Sequence, residues 1–246
     1  MKSKLLVSVF AALIALGIGF AGGGAGPQAA EDESLVLYLK MDEGEAEMVK
    51  DSSGNGIDGT LVGCEWAEDE ELERKVLRFD GQDDFVKCGK NASLNFDGNV
   101  TLLQWVKPEA TQDRKMTRLS SRRWDNWSFC IPNWTPKGGG LEVRVKIDGK
   151  KHSVRFPKRV LKPGAWQQVG WSFDGEAVNL IKDGKVVHSK KHPGKLDVPK
   201  GWPFVVGTVD SDPKGKFFNG SICEVRIWNK CLSEEEIENL YNEFAE

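Results

Sequence analysis

The chain is poor in several residue types that chemistry depends on. It has only three histidines and two tyrosines in 246 residues. Three scattered histidines exclude a histidine-rich metal centre, and no Cys-x-x-Cys pair or Gly-x-Ser-x-Gly elbow is present. Charge of one sign is also missing. Thirty-four Lys and Arg face 37 Asp and Glu, for a net charge of -3. A global nucleic-acid binder is usually strongly basic, so that class is excluded. After residue 26 no apolar stretch is long enough to span a bilayer.

What is present fits a β-rich fold. Nine Trp and 27 Gly accompany 39% apolar residues, enough for a packed core with tight turns. Lys2 and Lys4 precede an uncharged apolar run over 5–20 and a small-residue stretch over 21–26. This is the layout of a secretory signal peptide over 1–25, so a secreted, extracellular or periplasmic location is expected. Residues 26–34 read as an acidic linker, and 35–246 as one domain without a membrane span.

Export permits disulfides. The cysteines are Cys64, Cys88, Cys130, Cys223 and Cys231, an odd number. A Cys64–Cys88 bridge is the expected pairing.

Short strands and turns recur along the domain. Leu141 to Ile147 alternates apolar and charged residues, the period of a half-buried strand. Asp148-Gly149 and Asp183-Gly184 each separate two such segments, and Asp-Gly favours two-residue hairpins. Residues 80–84 read as another hairpin loop, between Val76–Phe79 and Phe85–Cys88. At the C-terminus Ser233 and Glu236 form a capping box, and Ile237, Leu240, Tyr241 and Phe244 share one helical face. The expected fold is all-β, a two-sheet antiparallel sandwich with a short C-terminal helix.

Five ordered segments carry a resemblance: Leu39 to Gly44, Asp51 to Leu61, Leu77 to Val86, Trp166 to Lys185 and Phe218 to Ser233. Together they resemble the laminin G-like domain of the concanavalin A-like lectin/glucanase superfamily. The resemblance implies a jelly roll whose first and last strands pair at the centre of one sheet.

Three site classes can be read. The superfamily includes glucanases with a Glu-x-Asp-x-x-Glu strand. Here the nearest match, Glu68 to Glu73, replaces the Asp by Glu70 and reads as a solvated acidic loop. Asp51, Asn55 and Asp58 offer hard oxygens on a Gly-rich loop, as calcium requires; the competing reading is an Asx-turn loop. For carbohydrate, Trp124 and Trp134 are the expected exposed platforms, with Arg122, Arg123, Asp125 and Asn133 beside them.

Charge is divided along the chain. Residues 31–100 carry a net -12 and residues 137–200 a net +9. Within the second block Arg144, Lys146 and Arg155 should share one solvent face while Val143, Val145 and Val154 point inward. That face suits an anionic polysaccharide. The expected function is therefore non-catalytic binding of carbohydrate or an extracellular or cell-surface polymer. A glycoside hydrolase and a protein-binding adhesion module are the alternatives.

Overall fold

The computed structural model describes residues 32–112, 116–123, 126–209 and 216–245. The leader expected over 1–25, and most of the linker, lie outside them. All elements belong to the compact unit Glu33–Glu246.

Sixteen strands form two antiparallel sheets. Sheet A has the order β14(Lys185–Lys191), β13(Ala177–Lys182), β12(Gln167–Phe173), β7(Val100–Pro108), β16(Asn219–Trp228), β5(Arg74–Asp80), β4(Glu65–Asp69). In it β1(Leu35–Leu39) also pairs with β16, Leu39 opposite Val225. Sheet B has the order β11(Lys150–Leu161), β10(Gly139–Ile147), β9(Trp127–Pro132), β8(Met116–Arg122), β15(Val205–Val206), β6(Phe85–Cys88), β3(Gly59–Val62), β2(Met48–Val49). First and last strands meet inside sheet A, as the jelly-roll resemblance implies.

The period of two decides which side chains enter the core. On β7, Val100, Leu102 and Val106 point between the sheets, while Leu103 and Trp105 point away. On β10, Leu141, Val143, Val145 and Ile147 are buried between the sheets. Trp127 of β9 meets Trp171 of β12 at 5.5 Å between ring centroids, tying sheet B to sheet A.

Sheet A would expose an apolar outer face without the helix α1(Glu234–Ala245). Ile237 packs with Leu103, Ile181 and Trp228, and Phe244 stacks on Trp105 at 4.0 Å. The capping box forms as expected: Glu236 N–H donates to Ser233 Oγ (3.2 Å), and Ser233 N–H to Glu236 Oε2 (2.7 Å). Both Asp-Gly turns place their two residues at positive φ, with Asp148 at 46° and Asp183 at 47°.

Two expectations are corrected. Residues 80–84 do not close a hairpin. β5 pairs with β4 and β16 in sheet A, whereas β6 pairs with β3 and β15 in sheet B. The Asp80-to-Asp84 turn is a corner between sheets, held by Asp80 N–H on Asp84 Oδ2 (2.7 Å). The Cys64–Cys88 bridge is also absent, because all five cysteines are free thiols. Register explains it. Cys88 pairs with Gly59 and Phe85 with Val62, so Cys64 lies beyond the far end of the ladder. Three rungs at ~3.4 Å already exceed the ~7 Å Cα limit of a bridge.

Gly170 tests the packing of sheet A. A Cβ there would lie 2.3 Å from the Leu102 carbonyl oxygen, whereas one at Gly98 would meet nothing within 4 Å. Gly170→Ala should cost about 1–3 kcal/mol in denaturant unfolding. Gly98→Ala should change stability by no more than about 0.5 kcal/mol.

Candidate functional site: a buried glutamate under two arginines

The outer face of sheet B carries a polar row across four strands. Arg118 on β8 pairs with Cys130 on β9, Cys130 with Glu142 on β10, and Glu142 with Arg155 on β11. A second row runs through Ser128, Arg144 and Ser153. Val143 and Val154 sit opposite each other and face the core, so the period of two sends their charged neighbours outward.

Glu142 organises this face. It is fully buried, yet on the outer side of the sheet. Its Oε1 accepts from Arg144 Nε (2.6 Å) and Ser153 Oγ (2.9 Å), and its Oε2 from Arg155 Nε (2.6 Å). Burial pushes the Glu142 carboxyl up. The hydrogen bond and charge of Arg144, with Ser153 and Arg155, outweigh it and hold the group below the usual carboxylate range. Both arginine side chains are anchored on Glu142 and remain more than a third exposed, at 37% and 39%. Glu142, Arg144, Lys151, His152, Ser153 and Arg155 line a pocket of about 300 Å³. Lys146 does not line this pocket and pairs with Asp197 at 3.1 Å. Arg118 is also buried here, its Nη1 on Ser128 Oγ (3.2 Å) and Cys130 Sγ.

The structure thus brings Arg144 and Arg155 together at one pocket, and sequence reasoning missed Glu142 between them. The signal was present: Glu142 begins the alternation that places Arg144 two residues on. Its partner Arg155 depends on hairpin register.

The expected Trp platform is corrected. Trp134 is 4% exposed, and its indole N–H donates to the Ala110 carbonyl (2.8 Å). Its ring packs so tightly on Gly139 that a Cβ there would lie 2.8 Å from it. Arg122 is likewise buried. Its Nε donates to the Trp202 carbonyl (3.1 Å) and Nη2 to Asn95 Oδ1 (2.8 Å), and burial pushes its pKa down to about 10. Arg122 ties β8 to neighbouring loops. Asn133 is exposed, and Arg123 lies over the Trp202 ring at 5.2 Å. Trp124 and Asp125 lie outside the described residues.

The Asp51, Asn55 and Asp58 side chains bond to the protein itself. Asp51 accepts N–H groups from Tyr38, Ser53 and Ile57 at 2.9–3.0 Å. Asp58 accepts Asp51 N–H (2.9 Å) and the Lys50 ammonium (2.7 Å). The Asn55 amide donates to the Leu35 and Val36 carbonyls. This donor set fits the loop's own backbone rather than calcium. Among the described residues, Asp80, Asp83 and Asp84 form a tighter carboxylate group, within 4.8 Å of one another. There Asp84 Oδ2 and Asp80 Oδ1 already accept N–H groups.

A second polar cluster lies on the outer face of sheet A. Arg226 lies 4.2 Å from the Tyr38 ring centroid and pairs with Glu224 at 2.8 Å, while the Tyr38 hydroxyl donates to Glu224 (3.3 Å). Burial, and then the Glu224 charge, push the Tyr38 hydroxyl up to about 12. These groups satisfy one another. Glu142 and Glu224, both buried, stand on outer faces of different sheets, so they cannot flank one glycosidic bond as a hydrolase pair must. The acidic stretch Glu68 to Glu73, read as a loop, begins as strand: Glu68 and Asp69 end β4 at the edge of sheet A.

With this geometry in view, the comparisons place the fold. The laminin G profile of the concanavalin A-like lectin/glucanases superfamily matches residues 80–238, and the chain belongs to that superfamily. No curated protein matches the sequence. Solved structures share the fold at low identity. The binding domain of Paraclostridial Mosquitocidal Protein 1 superposes with a TM-score of 0.69 at 18% identity, over 86% of this chain and 52% of that one. Domain 4 of AbnA, an extracellular GH43 arabinanase from Geobacillus stearothermophilus solved with arabinotriose, gives 0.63 at 20% identity, over 85% and 98%. The botulinum neurotoxin serotype D ligand binding domain, solved with N-acetylneuraminic acid, gives 0.65 at 18%, over 85% and 51%. The chain spans about half the length of both toxin chains.

Two measurements test the site's physics. Because the folded Glu142 carboxyl is held low, its contribution is complete above 4.5 and is lost as pH falls below that value through the folded pKa. The melting temperature of the protein should therefore drop more steeply than that of Glu142→Gln in acid below pH 4.5. Parallel curves would show that the carboxylate is not stabilised by its arginines. Asp51→Ala should cost about 1–3 kcal/mol through orphaned N–H groups. That loss should be the same in chelator and in millimolar Ca²⁺.

Proposed function

We propose that the protein is a secreted, non-catalytic binding module that recognises an anionic carbohydrate on the outer face of sheet B. One observation carries this reading: two guanidiniums anchored on one buried carboxylate border a pocket of about 300 Å³. Glu142 binds each guanidinium at Nε, and more than a third of each arginine side chain stays open to solvent. A carboxylate or sulfate on a sugar matches a guanidinium edge with paired, charge-assisted hydrogen bonds. The pocket wall carries one negative charge, Glu142, against Arg144, Arg155 and Lys151. Its volume is at the small end of ligand pockets, about 300–1,000 Å³, and suits a single sugar unit of a polymer.

The family and the solved relatives support the class of function, since domains of this fold have been solved with arabinotriose and with N-acetylneuraminic acid. The lysine-flanked apolar run over 5–20 supports export, with cleavage after Ala21 or Ala25.

Titration with uronic and sulfated oligosaccharides should show binding that weakens as salt rises, because exposed charges are screened beyond ~8 Å at physiological ionic strength. Neutral sugars should not compete. Arg144→Ser with Arg155→Ser should abolish binding and lower the melting temperature, because Glu142 stays buried without its guanidiniums, while circular dichroism at room temperature still shows the folded sheets. Salt-insensitive binding retained by that double variant would move the site away from Glu142.

A further inference from the structure

Part of the charge division along the chain becomes a division in space, although Glu238 of α1 borders Lys185 and Arg74, Lys75 and Arg78 of β5 stand opposite the β4 acids. The strand orders put β14 and β11, which lie in contact, at one side of the sandwich, and β4 and β2 at the other. β14 contains Lys185, Lys190 and Lys191 and no acidic residue. β4 contains Glu65, Glu68 and Asp69 and no basic residue, and the turn after it adds Glu70, Glu71 and Glu73. All of these except Asp69 are exposed.

Ion pairs within the molecule neutralise only part of this. Lys75 takes Glu68, and Lys107 takes Asp69 and Glu71. Among the described residues, no ion pair holds Glu65, Glu70, Glu73 or the three β14 lysines.

β14 and β4 are also the two terminal strands of sheet A, so each presents an edge of backbone N–H and C=O groups that no other described strand pairs. Like charges directly opposite each other destabilise strand pairing, and opposite charges favour it. Lysine rows therefore oppose β14-to-β14 contact, and glutamate rows oppose β4-to-β4 contact. Only the unlike edges attract. The acidic side also bears Met48 on β2 and Val62 on β3, the exposed large apolar side chains of the described residues.

We propose that the acidic β4 edge of one molecule docks against the basic β14 edge of a second copy. The partner is identified by complementary charge on the same strand system. Because the two edges lie on opposite sides of one sheet, a docked pair still presents one free edge of each kind. The contact is heterologous and does not close at a dimer, so association grows as an open chain. The residues involved are not those of the Glu142 pocket, so this inference stands apart from the glycan reading.

Sedimentation velocity of the full chain tests it. At ~0.01 M ionic strength charges act over ~30 Å, and at ~1 M over only ~3 Å. The weight-average mass should at least double with rising protein concentration at low salt and return to that of the monomer at high salt. Two triple variants sharpen the test: Lys185→Glu, Lys190→Glu, Lys191→Glu, and Glu65→Lys, Glu68→Lys, Glu70→Lys. Each alone should remain monomeric: the first variant then has two acidic edges, and the second, with three lysines against Asp69, Glu71 and Glu73, has lost the net negative charge of its β4 edge. An equimolar mixture of the two should associate again. A wild-type mass independent of salt overturns the proposal, even if a variant fails to fold. So does association that strengthens with salt, the behaviour of apolar contact through residues 5–20. A mixture that stays monomeric while both variants melt like the wild type also overturns it.

Discussion

The fold depends on one strand. β16 lies between β7 and β5 and also pairs with β1, so a segment near the C-terminus joins the early strands to the later ones. Without it, sheet A would separate into a β5–β4 pair and a β7–β12–β13–β14 ribbon. Ile222, Val225 and Ile227 of the same strand fill the space between the sheets. A register shift between Ile222 and Glu224 then turns Glu224 and Arg226 outward against Tyr38. Such pairing has large sequence separation, and loop closure must precede its reward, so the domain's folding rate is tied to how fast β16 finds its place.

The two outer faces are treated differently. Sheet A hides Leu103, Trp105, Cys223 and Trp228 under α1 and neighbouring side chains. Sheet B keeps a polar outer face, and a buried charge there must be bonded to be tolerated. Glu142 meets that condition through three donors, which also fix where Arg144 and Arg155 stand. Holding long side chains in one geometry beforehand lowers the entropy cost of binding.

The Asp-rich loops show how local chemistry can imitate a metal site. Asp51 and Asp58 have the residue types calcium uses, but loop backbones need acceptors for their own N–H groups. Here that need is met from within. The same holds for Asp84 at the corner between the sheets.

Much of the architecture was legible in the sequence because it follows from local rules. The two Asp-Gly turns, the alternation over Leu141 to Ile147, and the Ser233–Glu236 capping box each state their structure within a few residues. The basic face was legible for the same reason: a period of two leaves no choice about where Arg144 and Arg155 point once Val143 and Val154 are buried. Everything that misread the sequence involved partners far apart in the chain. Residues 80–84 look like a hairpin, but the choice between pairing and crossing belongs to β16 and β15. Cys64 and Cys88 are the expected pair, but ladder register separates them. Trp134 and Arg122 look like surface groups, but Ala110 and Trp202 supply the carbonyls that hold them inside. Glu142 was half-legible as an anchor: the alternation puts it beside Arg144, but its second guanidinium, Arg155, comes from the next strand. The sequence by itself determined the strands, the turns and which faces carry charge. Only the tertiary structure decided which of those charges meet, because distance between strands is a property of register and sheet order, not of spacing along the chain.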